Sequence, residues 1–201
     1  MKKIKIAILG AGFISQVAHI FNYNENRQVS IVAIIEKKED LRNLIQSKYN
    51  IKNSYQDHED FVSKNKENVD LVVIVVRRNH NYLLSKYFLQ NNYNIFCEKP
   101  MALTKKHAKN LQILSNKNNL FYAVGFMRRY DPIIKKAKEI IKNGSHKLGK
   151  IKYINCSVYA GNDFCGIDGY YKSKKPHDKK DIDDWKKIVK KIIKKKKIES
   201  Y

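Results

Sequence analysis

The eight residues 69–76, VDLVVIVV, constrain the fold more than any other stretch of this chain. A strand with one wet face alternates apolar and polar residues. Beyond Asp70 this run has no polar position, as expected of a strand covered on both faces. Further strand candidates lie at 3–9, 29–35, 93–97 and 120–124. Helical spacing fills the intervals at 13–23, 39–49, 57–66, 80–91 and 104–116, with Thr104 placed as an N-cap. Strands separated by helices of this length imply right-handed crossovers and a parallel sheet. The expected class is α/β, a doubly wound parallel sheet followed by an incomplete α+β second domain.

Ile6 to Ser15 read IAILGAGFIS, a buried strand running through a glycine turn into a helix. In a Rossmann dinucleotide fold the first glycine allows the tight turn and the second lets backbone approach a diphosphate. The helix N-terminus then presents unpaired N–H groups to that charge. Gly10 and Gly12 fit these roles, and Phe13 and Ile14 open the helix. Ser15 takes the third glycine's place, small enough for close helix packing. Glu36 ends the second strand, where a carboxylate accepts both ribose hydroxyls of NAD and repels a 2′-phosphate. Lys37 and Lys38 soften that repulsion, so the expected cofactor is NAD or NADP, with NAD favoured.

After Pro132 the pattern changes. Residues 133–142 read as a helix with Ile133, Ile134, Ala137, Ile140 and Ile141 on one face, ending near Asn143-Gly144. Residues 150–159 alternate like a strand, and 181–198 have the spacing of an amphipathic basic helix. The expected divisions are a dinucleotide-binding domain at 1–125, the start of a substrate and oligomerisation domain at 126–160, and a divergent lysine-rich tail at 161–201.

The formal charge of +22 invites a nucleic-acid reading. The basic residues, however, are 35 Lys and only 6 Arg, spread among abundant Asn and Ile. Arginine supplies the bidentate fork of base and phosphate recognition, so this balance reads as A+T-rich coding bias. No run approaches the roughly 20 apolar residues of a membrane span. Cys97, Cys156 and Cys165 form no CxxC, which indicates neither a disulfide framework nor a metal site. The chain enters a strand at once without a secretory h-region, so a cytoplasmic location is expected.

Three motifs in order, GAGFIS, CEKP followed by MALT, and GFMRRYDP, resemble the Gfo/Idh/MocA oxidoreductases, the last most resembling inositol 2-dehydrogenases and related sugar dehydrogenases. The resemblance covers about residues 1–160. It implies an N-terminal Rossmann domain, a larger C-terminal domain with an open sheet, and a homo-oligomer if the second domain suffices for one. It also implies that Lys99 sits beside the nicotinamide and hydrogen-bonds the reacting oxygen. Glu98 would orient Lys99 or the nicotinamide ribose, with Pro100 shaping the turn, by a cis bond in many members. Asn79 matches the asparagine after the fourth strand, near the cofactor. Around it Arg77-Arg78 replaces the usual Thr-Pro, and Tyr82 a common His. Arg128 and Tyr130 line the substrate side or pack between domains. His19 matches a similar helix and reads as a packed histidine.

The implied activity is hydride transfer between a nicotinamide and a sugar or cyclitol hydroxyl. The glycine-rich Asp-x-x-x-His segment that supplies the family's base is not found. His177 lies among lysines and reads as a tail residue. With the loss of pattern after Tyr159, this reads as a truncated, inactive form. The alternatives are a non-catalytic dinucleotide-binding protein and a basic protein binding nucleic acid or a membrane surface. The partner expected first is a small polyol or sugar, with no specific nucleic acid and no membrane.

Overall fold

In β1 (Ile4–Leu9) successive side chains alternate between the two faces of the sheet, and Ile6, Ala7, Ile8 and Leu9 are all buried. This is possible only where both faces are covered. The computed structural model describes residues 2–150, 152–155, 157, 170–175, 187 and 190. It places β1 beside β2 (Val29–Ile35) and β4 (Leu71–Ile74), the core of VDLVVIVV. Three short strands, β3 (Asn53–Tyr55), β5 (Ile95–Cys97) and β6 (Tyr122–Val124), complete a parallel sheet of order β3-β2-β1-β4-β5-β6.

The helices divide between the faces as the strand residues dictate. The first helix opens at Phe13, winds as a π-helix over Ser15–Ile20 and continues as α1 (Phe21–Glu25). It packs with α2 (Glu39–Lys48) on one face, where Ile20, Leu41 and Ile45 meet Ile6, Ile8, Ile34 and Val73. On the other face Phe61 of α3 (His58–Lys64), Phe88 and Leu89 of α4 (Asn81–Gln90) and Leu111 of α5 (Lys105–Lys117) meet Ala7, Leu9, Val72, Ile74 and Ile95. The doubly wound fold is thus the one the sequence implies. Thr104 caps α5, its hydroxyl accepting the His107 amide at 3.2 Å.

A chain poor in glycine ends these helices with asparagine. Asn50, Asn92 and Asn119 follow the caps of α2, α4 and α5 at φ of 48°, 61° and 52°. In each, the next amide returns to the carbonyl five residues earlier: Ile51 to Gln46, Tyr93 to Phe88 and Leu120 to Ser115. That is the Schellman arrangement, with asparagine tolerating the left-handed backbone.

The chain divides into two compact units, one of Met1–Val124 with Tyr170–Tyr201 and one of Gly125–Gly169. In the second, Met127–Tyr130 forms a 3₁₀ turn and Pro132 opens α6 (Pro132–Leu148). Asp131 accepts the Ile133 amide at 2.9 Å, and proline at the first helical position needs no N–H partner.

Three sequence expectations need correction. The helix passes through Asn143-Gly144 and stops before Gly149, which takes the left-handed backbone at φ 71°. An internal glycine costs only about 1 kcal/mol, too little to end a helix by itself. Of the strand expected at 150–159, residues 150, 152–155 and 157 are not in a strand, and 151, 156, 158 and 159 lie outside the described residues. Strand β3 went unread because its NSY carries no apolar run. In the expected tail helix Lys187 and Lys190 are helical, and its other residues, with His177, lie outside the described residues.

Candidate functional site

The sheet order places β1 next to both β2 and β4, so helices leave β1 and β4 toward opposite faces and a crevice forms at their carboxyl ends. Gly10 lies at its floor. Its backbone is left-handed at φ 96°, its amide donates to the Ile35 carbonyl at 2.8 Å, and a Cβ there would collide with the Val75 carbonyl oxygen beyond β4. Gly10 is therefore required by the fold itself. Gly12 is different: a Cβ on it would meet nothing within 4 Å among the described residues. The space above Gly12 is open backbone at the start of a helix, whose first N–H groups have no intrahelical acceptor.

Glu36 closes one side of this loop. Its Oε2 accepts the Ala11 amide at 2.8 Å and its Oε1 the Lys38 amide at 3.0 Å, while Arg42 donates to its main-chain carbonyl at 2.7 Å. A carboxylate has about four acceptor positions, so two remain without a partner among the described residues. Residues 170–175 run along the starts of the first helix and α2. Tyr170 meets Phe13 edge-on with centroids 4.6 Å apart, and Tyr171 exchanges two hydrogen bonds with the Gln16 side chain. Ser173 donates to Asp40, and the Lys38 ammonium donates to the Lys175 carbonyl at 2.7 Å. Ile14 is 37% exposed. Ser15 is fully buried, and its hydroxyl has no partner among the described residues.

The turn after β5 carries Glu98, Lys99 and Pro100, with a cis bond between the last two. Asn81, buried at the start of α4, donates through Nδ2 to the carbonyls of Glu98 at 2.9 Å and Pro100 at 2.7 Å. The Glu98 carboxylate is half-committed to its own turn, Oε2 accepting the Lys99 amide at 2.9 Å. Its other oxygen lies 3.1 Å from His19 Nε2. Burial pushes the Glu98 carboxyl up, but the bonds from His19 and the Lys99 amide outweigh it and hold the group below its ordinary value. Lys99 itself is exposed, and its ammonium makes no hydrogen bond or ion pair among the described residues.

Gly10, Gly12, Phe13, Ile14, Glu36, Asn79, Glu98 and Lys99 thus all follow the carboxyl ends of β1, β2, β4 and β5. Asn79 sits in a turn with its amide 3.2 Å from His80 Nε2, and Arg77 and Arg78 are exposed. Tyr82 stacks on His107 with ring centroids 3.9 Å apart. Arg128 and Tyr130 belong to the second unit, where both are exposed. Sequence reading missed Asn81, and His19, read as a packed helix histidine, is buried on the first helix. The available signal for Asn81 was polarity at a core position: it shares the inner face of α4 with Ser85, Phe88 and Leu89.

The model of the oxidoreductase family with an NAD-binding Rossmann fold, Gfo/Idh/MocA, matches residues 4–126. The chain belongs to the Gfo/Idh/MocA family. It is 26% identical over 147 residues to the myo-inositol 2-dehydrogenase of Thermotoga maritima, covering 73% of this chain and 42% of that one. The crystal structure of myo-inositol 2-dehydrogenase from Lactobacillus plantarum superposes with a TM-score of 0.64 at 26% identity, over 72% of this chain and 42% of that one. Scyllo-inositol dehydrogenase from Lactobacillus casei, solved with NAD(H) and scyllo-inositol, shares the fold with a TM-score of 0.66 at 24% identity, over 72% and 42%. This Gfo/Idh/MocA chain therefore spans about two fifths of the length of the relatives it matches. Among the described residues no helix is long and apolar enough to cross a membrane.

Proposed function

We propose that the chain holds NAD(H) in the crevice between β1 and β4 and serves hydride transfer at a cyclitol or sugar hydroxyl. The observation that carries this reading is Gly12, a bare backbone position at the mouth of a helix with no described residue within 4 Å of its missing Cβ. The amides of Gly12, Phe13 and Ile14 are the groups suited to a diphosphate. The two remaining acceptor positions of Glu36 suit ribose hydroxyls, and its charge opposes a 2′-phosphate. With the Lys38 ammonium engaged by the Lys175 carbonyl, NAD is favoured over NADP.

A bound nicotinamide supplies the hydride acceptor or donor. Lys99 contributes a cation with no hydrogen-bond or ion-pair partner among the described residues, on a turn fixed from α4 and from the first helix. Such a group stabilises negative charge growing on a substrate oxygen as hydride leaves. A second reading is dinucleotide binding without turnover, which the same glycine turn and Glu36 would serve.

Calorimetric titration with NADH and NADPH, followed by absorbance of the reduced nicotinamide with myo-inositol and NAD, separates the two. Tight NADH binding with turnover abolished in Lys99→Ala supports catalysis. Binding without turnover leaves the second reading, and no binding of either nucleotide removes both.

A further inference from the structure

The part-buried pair His19–Glu98 bridges two parts of the site that the sequence keeps far apart. His19 lies in the π-wound segment Ser15–Ile20 of the helix that begins at the glycine turn, and is 8% exposed. Single π turns inside helices recur at functional sites, because the extra residue re-aims the side chains that follow. Here the re-aimed ring lies with its centroid 5.9 Å from that of Phe96 on β5, and its Nε2 lies 3.1 Å from Glu98 Oε1. The two side chains are 10% and 15% exposed. An ionised carboxylate only accepts, so Nε2 carries the shared proton.

Each oxygen of Glu98 then has a defined task. Oε1 is held by His19, and Oε2 holds the Lys99 amide at 2.9 Å. The main chain on either side of Lys99 is held by Asn81. A carboxylate with only the Lys99 amide as partner would be under-solvated in this position and free to rotate. We propose that His19 is a positioning residue: its imidazole fixes the Glu98 carboxylate and, through it, the Lys99 amide, so that the helix facing the diphosphate also sets the turn presenting Lys99. The nucleotide half of this statement rests on the function proposed above; the effect on Lys99 does not.

The test uses the full-length protein with His19→Ala and His19→Gln, since glutamine places an N–H donor at nearly the reach of Nε2. Amide hydrogen exchange followed by NMR reads the turn directly. In His19→Ala the Lys99 amide should exchange about tenfold faster, the size of one charge-assisted hydrogen bond. The Val72 amide, bonded to Asn94 in the core, should keep its rate. Glutamine should restore the Lys99 rate. In parallel, NADH should bind about tenfold more weakly to His19→Ala, while ADP-ribose, which lacks the nicotinamide, binds as before. An unchanged Lys99 amide in His19→Ala, or equally faster exchange across core amides with equal weakening of both nucleotides, would overturn the proposal. If the wild-type protein binds neither nucleotide, the proposed function falls, and the exchange rates still decide the role of His19.

Discussion

The Glu36 carboxylate accepts the Ala11 amide at 2.8 Å, tying the end of β2 to the glycine turn after β1. One side chain thus shapes the loop and sets the charge that an adenosine ribose would meet. Glu36→Gln keeps an acceptor for Ala11 and removes the charge. The ratio of NADPH to NADH affinity should rise about tenfold, in line with one hydrogen bond to a charged group, while the urea midpoint moves little. Competitive titration of the two nucleotides checks it, and an unchanged ratio would show that Glu36 does not face the ribose.

Gly10 should be intolerant for structural reasons alone. Its left-handed backbone and the Val75 carbonyl leave no place for a methyl group. Gly10→Ala should lose about 2 kcal/mol or more of stability in urea denaturation without any ligand present. A loss below about 0.5 kcal/mol would mean that the turn relaxes freely.

The asparagines at the helix ends make the opposite prediction. Asn50, Asn92 and Asn119 already occupy glycine-like backbone. Replacing any one by glycine should stabilise the protein by a few tenths to about 1 kcal/mol, and replacing it by alanine should destabilise it by about 1 kcal/mol. Thermal midpoints of the six single variants give the signs.

How much of this was legible in the sequence follows from the range of the interactions. The continuous run at 69–76 and the glycine turn were readable because strand burial and turn geometry are local. Thr104 was readable as a cap for the same reason. Strand β3 was not: Asn53, Ser54 and Tyr55 pair with β2 because they lie at its edge, and their own composition gives no hint. The bond from His19 to Glu98 spans 79 positions, and Asn81 reaches Pro100 across 19. Nothing in the spacing of these residues foretells such contacts; they follow from how the first helix and α4 settle on the sheet. The end of α6 was misplaced because asparagine followed by glycine marks a stop only where the backbone turns left-handed, and here that is Gly149.

Cys97 offers a pH-dependent check on the core beneath the Lys99 turn. It is fully buried, and burial pushes its thiol up to about 11. The folded state therefore holds this proton more tightly than the unfolded chain does. The resulting stabilisation is complete below the thiol's unfolded pKa of about 8.5 and is lost as pH rises through about 11, on the order of 3 kcal/mol in all. Iodoacetamide at pH 8 should accordingly label Cys97 far more slowly in the native protein than in denaturant, as peptide mapping would show. Equal rates would place the thiol in contact with solvent.

Gly12 carries the central claim, because no described residue fills the space over it and a diphosphate would fill that space. The most direct measurement is calorimetric titration of NADH into the wild-type protein and Gly12→Val, with thermal midpoints recorded for both. The account predicts that the midpoints agree within about 2 °C, a difference of about 1 kcal/mol or less, and that NADH binding is present in the first and lost in the second. NADH binding of equal strength in both proteins would contradict it.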